Sequence, residues 1–218
     1  MTEEPMEYIE YRHNEGSRDK RILVLLHGYG SNEHDLPGLG SALSSDCTLV
    51  SLRAPIDLPF GGHAWFSLYP QEKGFKADIP EALKALDRLE QLLEELIERY
   101  APASGKVWLL GFSQGSMLSQ ALMLRKSEQI QGVIGLSGYL PDPLIPEALP
   151  SPEQMPTILL VHGTEDEVID VEKARRSHRW YQEQGIPHEY HEFPIGHEVG
   201  MEEIDLMDKW WQKMGEAQ

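Results

Sequence analysis

Two hydrophobic rhythms alternate along the chain. Arg21–Leu26 (RILVLL), Lys106–Leu110 (KVWLL), Gly132–Leu136 (GVIGL) and Thr157–Val161 (TILLV) are short, nearly unbroken apolar runs. Such runs predict strands buried on both faces of a sheet. Met6–Tyr11, Thr48–Leu52 and His188–Phe193 are further β-like segments. Between them the period lengthens. Over Ala77–Tyr100, residues Ile79, Ala82, Leu86, Leu89, Leu93, Ile97 and Tyr100 recur at steps of three and four, which predicts an amphipathic helix. Asp78 and Glu81 have the spacing of a capping box at its start. Ser113–Arg125, Val171–Gln184 and Val199–Met214 predict three more helices. Tyr139–Pro156 holds six prolines and no period, so it reads as a surface excursion. Strands alternating with helices imply a mostly parallel central sheet with helices on both faces, in one α/β domain over residues 1–218.

Composition narrows the functions. The 218 residues suit one domain that buries its own core without metal or disulfide staples. Nineteen basic and 36 acidic side chains give a net charge of −17. Such a chain lacks the basic footprint needed on nucleic acid, and it is not drawn to anionic lipid. Cys47 is the only cysteine, which excludes an internal disulfide and a CxxC metal or redox site. No apolar run reaches membrane-span length, so no stable membrane insertion is expected. The acidic start, Met1-Thr2-Glu3-Glu4-Pro5, is no signal peptide. The expected location is the cytoplasm.

The sharpest chemical signal is Gly111-Phe112-Ser113-Gln114-Gly115, set between a strand and a helix. A G-x-S-x-G turn in that context holds the serine oxygen above the sheet at the positive end of a helix. The plainer reading, a Gly/Ser turn with Ser113 as a helix cap, is open to the five residues alone; the strand–turn–helix context favours the nucleophile. A nucleophilic serine needs a base, and the base an orienting acid, in the order serine, acid, histidine. Asp166 follows the TILLV strand on a short loop and is the favoured acid; Asp142 is second. Five of the nine histidines, including His27 and His162, precede the acid and drop out. His178 lies inside a helix, and His188 and His191 flank a strand and point to opposite faces. His197, on the loop entering the last helix, remains as the base. The developing oxyanion needs two N–H donors. Gln114, after the nucleophile, supplies one. Tyr29, in the glycine-rich His27-Gly28-Tyr29-Gly30-Ser31 turn after RILVLL, supplies the other. That turn lacks the GK[ST] ending of a phosphate loop.

In their order, His27-Gly28-Tyr29-Gly30-Ser31-Asn32, Arg53-Ala54-Pro55, Ala64-Trp65-Phe66, Gly111-Phe112-Ser113-Gln114-Gly115, His162-Gly163-x-x-Asp166 and Gly196-His197 resemble the carboxylesterase/lysophospholipase family, which includes the acyl-protein thioesterases. The resemblance covers about residues 20 to 214. It implies an α/β-hydrolase fold without a large cap domain and a Ser113–His197–Asp166 triad. It also implies oxyanion amides at Tyr29 and Gln114, and cofactor-free hydrolysis of small carboxylic esters, often of short or medium acyl chain. Many such relatives are homodimers. Tyr29 in place of leucine, Asp170 in place of proline and a short loop between Pro55 and Ile79 bring the chain nearer the bacterial esterase branch than protein depalmitoylation. Lysophospholipase or thioesterase action on the same triad is the alternative. A non-catalytic binding module would not need all three triad side chains. Trp65, Phe66 and Leu68 have two readings, as wall of an acyl pocket or as a small core under a loop. Leu140, Leu144 and Ile145 are weaker pocket candidates.

Overall fold

In chain order, the elements are β1 (Tyr8–Arg12), β2 (Ile22–Leu26), α1 (Pro37–Leu43), β3 (Thr48–Leu52), β4 (Ile56–Asp57), β5 (His63–Ala64), β6 (Leu68–Pro70), β7 (Phe75–Ala77), α2 (Ile79–Tyr100), β8 (Val107–Phe112), α3 (Gln114–Arg125), β9 (Ile130–Leu136), β10 (Thr157–Gly163), α4 (Val171–Glu183), β11 (His188–Phe193) and α5 (Met201–Glu216). They come from a computed structural model that describes residues 6–12, 21–43, 47–71 and 75–216. Seven strands form one sheet in the order β1-β3-β2-β8-β9-β10-β11. All neighbours are parallel except the β1–β3 pair. This is the α/β-hydrolase architecture expected from the strand and helix rhythm.

The unbroken apolar runs serve two cores at once. Successive strand residues point to opposite faces. Ile22, Val24 and Leu26 therefore join the core under α2 and α3, while Leu23 and Leu25 join the core under α1 and α5. On the second face, Trp108 meets the rings of Trp210 and Trp211 at centroid distances of 5.9 and 5.0 Å. Helix α3 is buried on every side from Gln114 to Leu124. A helix enclosed all round needs no polar stripe, which is why its sequence shows so little amphipathic pattern.

Several expectations shift. The capping box at α2 forms by half. Asp78 accepts the Glu81 N–H at 3.0 Å, but its own N–H donates to Ser67 O, so the Glu81 carboxylate instead accepts the Ser67 N–H at 2.6 Å. The proline-rich excursion is anchored, with Leu140, Leu144 and Met155 buried. The short helix α1 and the ribbons β4–β5 and β6–β7 have too few residues to show a period. Among the described residues, no helix is long and apolar enough to cross a membrane.

The chain leaves β2 toward β3 on one side and returns as β8 on the other. The crevice at such a reversal, beyond the carboxyl ends of the strands, is where open parallel sheets bind ligands. Leu26 of β2 is paired there with Gly111 of β8. The loop after β2 is fastened to the loop after β3. His27 donates from Nδ1 to Gly28 O at 2.7 Å and accepts the Ala54 N–H at Nε2, 3.1 Å away. Burial pushes the His27 imidazole down, so it stays neutral. Arg53 forks onto the buried Glu33, with Nε to Oε2 at 2.8 Å and a second bond from Nη2 to Oε1. The guanidinium holds the Glu33 carboxyl below its ordinary value of 4.5, at about 2.

A depressed carboxylate stabilises the fold above its unfolded pKa and loses that contribution as pH falls through its folded pKa. Glu33→Gln should therefore be less stable than wild type at pH 7, by about 2 kcal/mol in urea melts. The gap should narrow between about pH 4.5 and pH 2. A gap that stays constant over that range would refute the assignment.

Candidate active site

The turn from β8 into α3 is built by sterics. A Cβ on Gly111 would lie 2.3 Å from Gly115 O, and one on Gly115 would lie 1.9 Å from Leu26 O. Only glycine at both positions lets α3 start directly against β2. Between them Ser113 takes φ 53° and ψ −114°, a strained conformation for a residue with a Cβ. Its N–H donates to Leu136 O at 2.9 Å, tying the turn to β9. Ser113 is otherwise largely enclosed, 7% exposed.

The His197 ring lies over this turn, 5.0 Å from the Phe112 ring. His197 Nε2 lies 3.0 Å from Ser113 Oγ, and Nδ1 lies 2.7 Å from Asp166 Oδ2. The pattern fixes the tautomer: Nδ1 donates to the carboxylate, and the Nε2 lone pair faces the hydroxyl. Asp166 Oδ1 accepts the N–H groups of Val168 and Ile169, both at 2.8 Å. The carboxylate is fully enclosed and held from both sides. Asp142 lies elsewhere. It sits on an exposed turn and pairs with Arg176 of α4.

The loop after β2 reaches the same place. A Cβ on Gly28 would stand 3.0 Å from the Phe112 ring and 3.3 Å from Ser113 Cβ, so the backbone before Tyr29 packs on the serine turn. As the first residue of α3, Gln114 has no carbonyl four residues back within its helix to accept its N–H. The two nominated amides thus border Ser113 from different segments.

A cavity of about 250 Å³ opens on Ser113 and His197. Phe66, Leu68, Phe75 and Met117 give it an apolar wall. Phe66 and Leu68 are therefore at the pocket, whereas Trp65 is beneath it. The Trp65 indole is fully buried, donates to His27 O at 2.8 Å and lies 5.7 Å from the His27 ring. Its size and N–H suit a strut under the loop rather than a contact surface. Leu140 and Ile145 border a separate cavity beside Arg176 and Trp180, and Leu144 is in the core.

Two groups have roles that chain order alone misses. The buried Gln114 side chain accepts the Trp65 N–H at 3.1 Å and donates to Phe66 O at 2.8 Å. It joins the turn bearing Ser113 to Phe66 at the edge of the cavity. His162, discarded as a base by its position, donates from Nε2 to Ile169 O at 2.9 Å, with the same nitrogen 3.3 Å from Asp166 Oδ2. It closes the loop that carries Asp166. The available signal was its place at the end of an apolar strand, where a buried imidazole must find partners locally.

Residues 11–214 match the phospholipase/carboxylesterase family. The chain is 26% identical to acyl-protein thioesterase 1 of Debaryomyces hansenii over 85% of its own length and 87% of the relative's. It is 30% identical to acyl-protein thioesterase 1 homolog 2 of Dictyostelium discoideum, where the match spans 61% of this chain and 60% of that one. The crystal structure of esterase PE8 superposes with a TM-score of 0.83 at 28% identity, covering 96% of this chain and 99% of that one. A match running nearly the whole length, set on this fold, makes the chain a member of the phospholipase/carboxylesterase family and a hydrolase of ester bonds.

Proposed function

We propose that the protein hydrolyses short- to medium-chain carboxylic esters through an acyl-enzyme formed on Ser113. The observation that carries this reading is the continuous contact from Ser113 Oγ through His197 to Asp166, opening on an apolar cavity. His197 takes the Ser113 proton as Oγ attacks the ester carbonyl, and the carbonyl oxygen becomes an oxyanion. The N–H groups of Tyr29 and Gln114 stabilise that charge. The intermediate collapses, the C–O bond to the alcohol breaks, and the alcohol leaves with the proton from His197. Water then gives a proton to His197 and attacks the acyl carbon. A second oxyanion collapses, Ser113 regains its proton and the acid departs. Asp166 orients the imidazole throughout and stabilises its protonated form.

The volume supports the chain length. About 250 Å³ lies below the range of sites for drug-sized ligands. Phe66 and Leu68 form the acyl wall in this reading. A second reading, thioester hydrolysis on the same triad, is favoured by the relatives named acyl-protein thioesterases.

A series of p-nitrophenyl esters from acetate to palmitate should show kcat/KM highest among the short and medium chains. A maximum at palmitate would transfer the proposal to long-chain lipids and thioesters. Ser113→Ala should fold normally and lower kcat by a factor on the order of 10⁶. Asp166→Asn should lower it by about 10⁴. Asp142→Asn, altering an exposed ion pair, should stay within about twofold of wild type. A crippled Asp142→Asn with an active Asp166→Asn would reverse the acid assignment. Gln114→Ala keeps the backbone N–H but leaves two buried backbone groups without partners, so urea melts should show a loss of about 2 kcal/mol. Unchanged stability would show that the Gln114 side chain does not hold the pocket wall.

A further inference from the structure

The cavity wall has one fixed charge among the described residues, and it is a cation. Lys173, in the first turn of α4, lines the space in front of Ser113 and His197. No carboxylate of the described residues lines it. This runs against a chain of net charge −17, in which 36 acidic side chains face 19 basic ones.

The lysine is also held at the cavity. Its Nζ lies 4.9 Å from the ring centroid of Tyr139, which lines the same space. An ammonium over an aromatic face is attracted by the ring's negative potential and gives up part of its freedom to wander. The neighbouring charges on α4 are otherwise engaged. Asp170 caps the helix by accepting the Glu172 N–H at 2.9 Å. Glu172 pairs with Arg175 at 2.6 Å, and Arg175 also forks onto Glu192. Arg176 pairs with Asp142. Lys173 has no carboxylate partner among the described residues. Its charge is available to whatever occupies the cavity.

Resting on the esterase reading above, we infer that Lys173 makes the site selective for esters that carry a negative charge a few bonds from the scissile carbonyl, on the acyl chain or on the alcohol. The apolar wall of Phe66, Leu68 and Met117 takes the hydrocarbon part, and the ammonium over Tyr139 takes the anionic end. An ammonium is a point charge with rotatable donors, so it favours the anion without demanding one planar geometry. Without this cation the field of the whole protein would disfavour such substrates.

The test uses two matched pairs of substrates on the intact protein. One pair is the p-nitrophenyl monoester of glutaric acid against p-nitrophenyl pentanoate. The other is 4-acetoxybenzoate against phenyl acetate. The quantity read is the ratio of kcat/KM, anionic over neutral. Lys173→Met keeps most of the apolar stem and should lower that ratio about fivefold in at least one pair. Lys173→Arg should retain it. Raising NaCl to about 0.5 M should bring the wild-type ratio toward that of Lys173→Met. A ratio unaltered by Lys173→Met in both pairs overturns the inference. If wild type fails to hydrolyse even the neutral esters, the esterase reading itself is what has failed, and the inference falls with it.

Discussion

The close approach of α3 to the end of β2 is the constraint on which the site depends. Gly115 lies so near Leu26 O that no side chain fits between them, and Gly111 lies as near the first turn of α3. That approach sets the β8–α3 turn, and the turn forces Ser113 to positive φ. It also brings the two carboxyl-terminal strand ends of the reversal point side by side, as Leu26 and Gly111 are register partners. The loop bearing Tyr29 and the turn bearing Ser113 therefore meet because of sheet topology. Strain at one residue, of order 1–3 kcal/mol, is small beside the two cores that hold the strands in place.

Around this point the loops are tied to one another by buried polar contacts. His27 binds the loop after β2 to Ala54, and Trp65 binds back to His27 O. Gln114 binds Trp65 and Phe66 to the start of α3. His63 exchanges backbone bonds with Gly30 and Ser31. The ties through His27, Trp65 and Gln114 satisfy groups that would otherwise be buried without partners, which is expensive in a low-dielectric interior. The ribbon β4–β5, small as it is, is fastened by these ties as well as by its own pairing. A pocket wall on a loop can then be as well placed as one on a helix.

Strands β2, β8, β9 and β10 were legible because burial on both faces demands nearly unbroken apolar runs, and α2 because one exposed face demands a stripe. The place of Ser113 on the tight turn was legible because both glycines are sterically required, and the approach of His197 to it because chain order removes the rival histidines. The rest depends on contacts between segments far apart in sequence. Nothing local says that Trp65 faces His27 rather than the cavity, or that the Gln114 side chain reaches across to residues 65 and 66. Lys173 reads in sequence as one more charge on a charged helix. Only the packing of Tyr139 and α4 around the cavity singles it out.

The buried Asp166 shows how the two levels combine. A carboxylate with its side chain fully enclosed is unfavourable unless donors surround it. Two backbone N–H groups come from its own loop, and such a loop needs only short spacing after a strand. The third donor, the His197 N–H, comes from a loop beyond a different strand. The parallel pairing of β10 and β11 supplies that meeting, since it sets Gly163 opposite Phe193 and so starts both loops at the same edge. Asp166 is thus held by local chemistry and aimed by the sheet. Among the groups around this carboxylate, the His197 imidazole is the one that also faces Ser113.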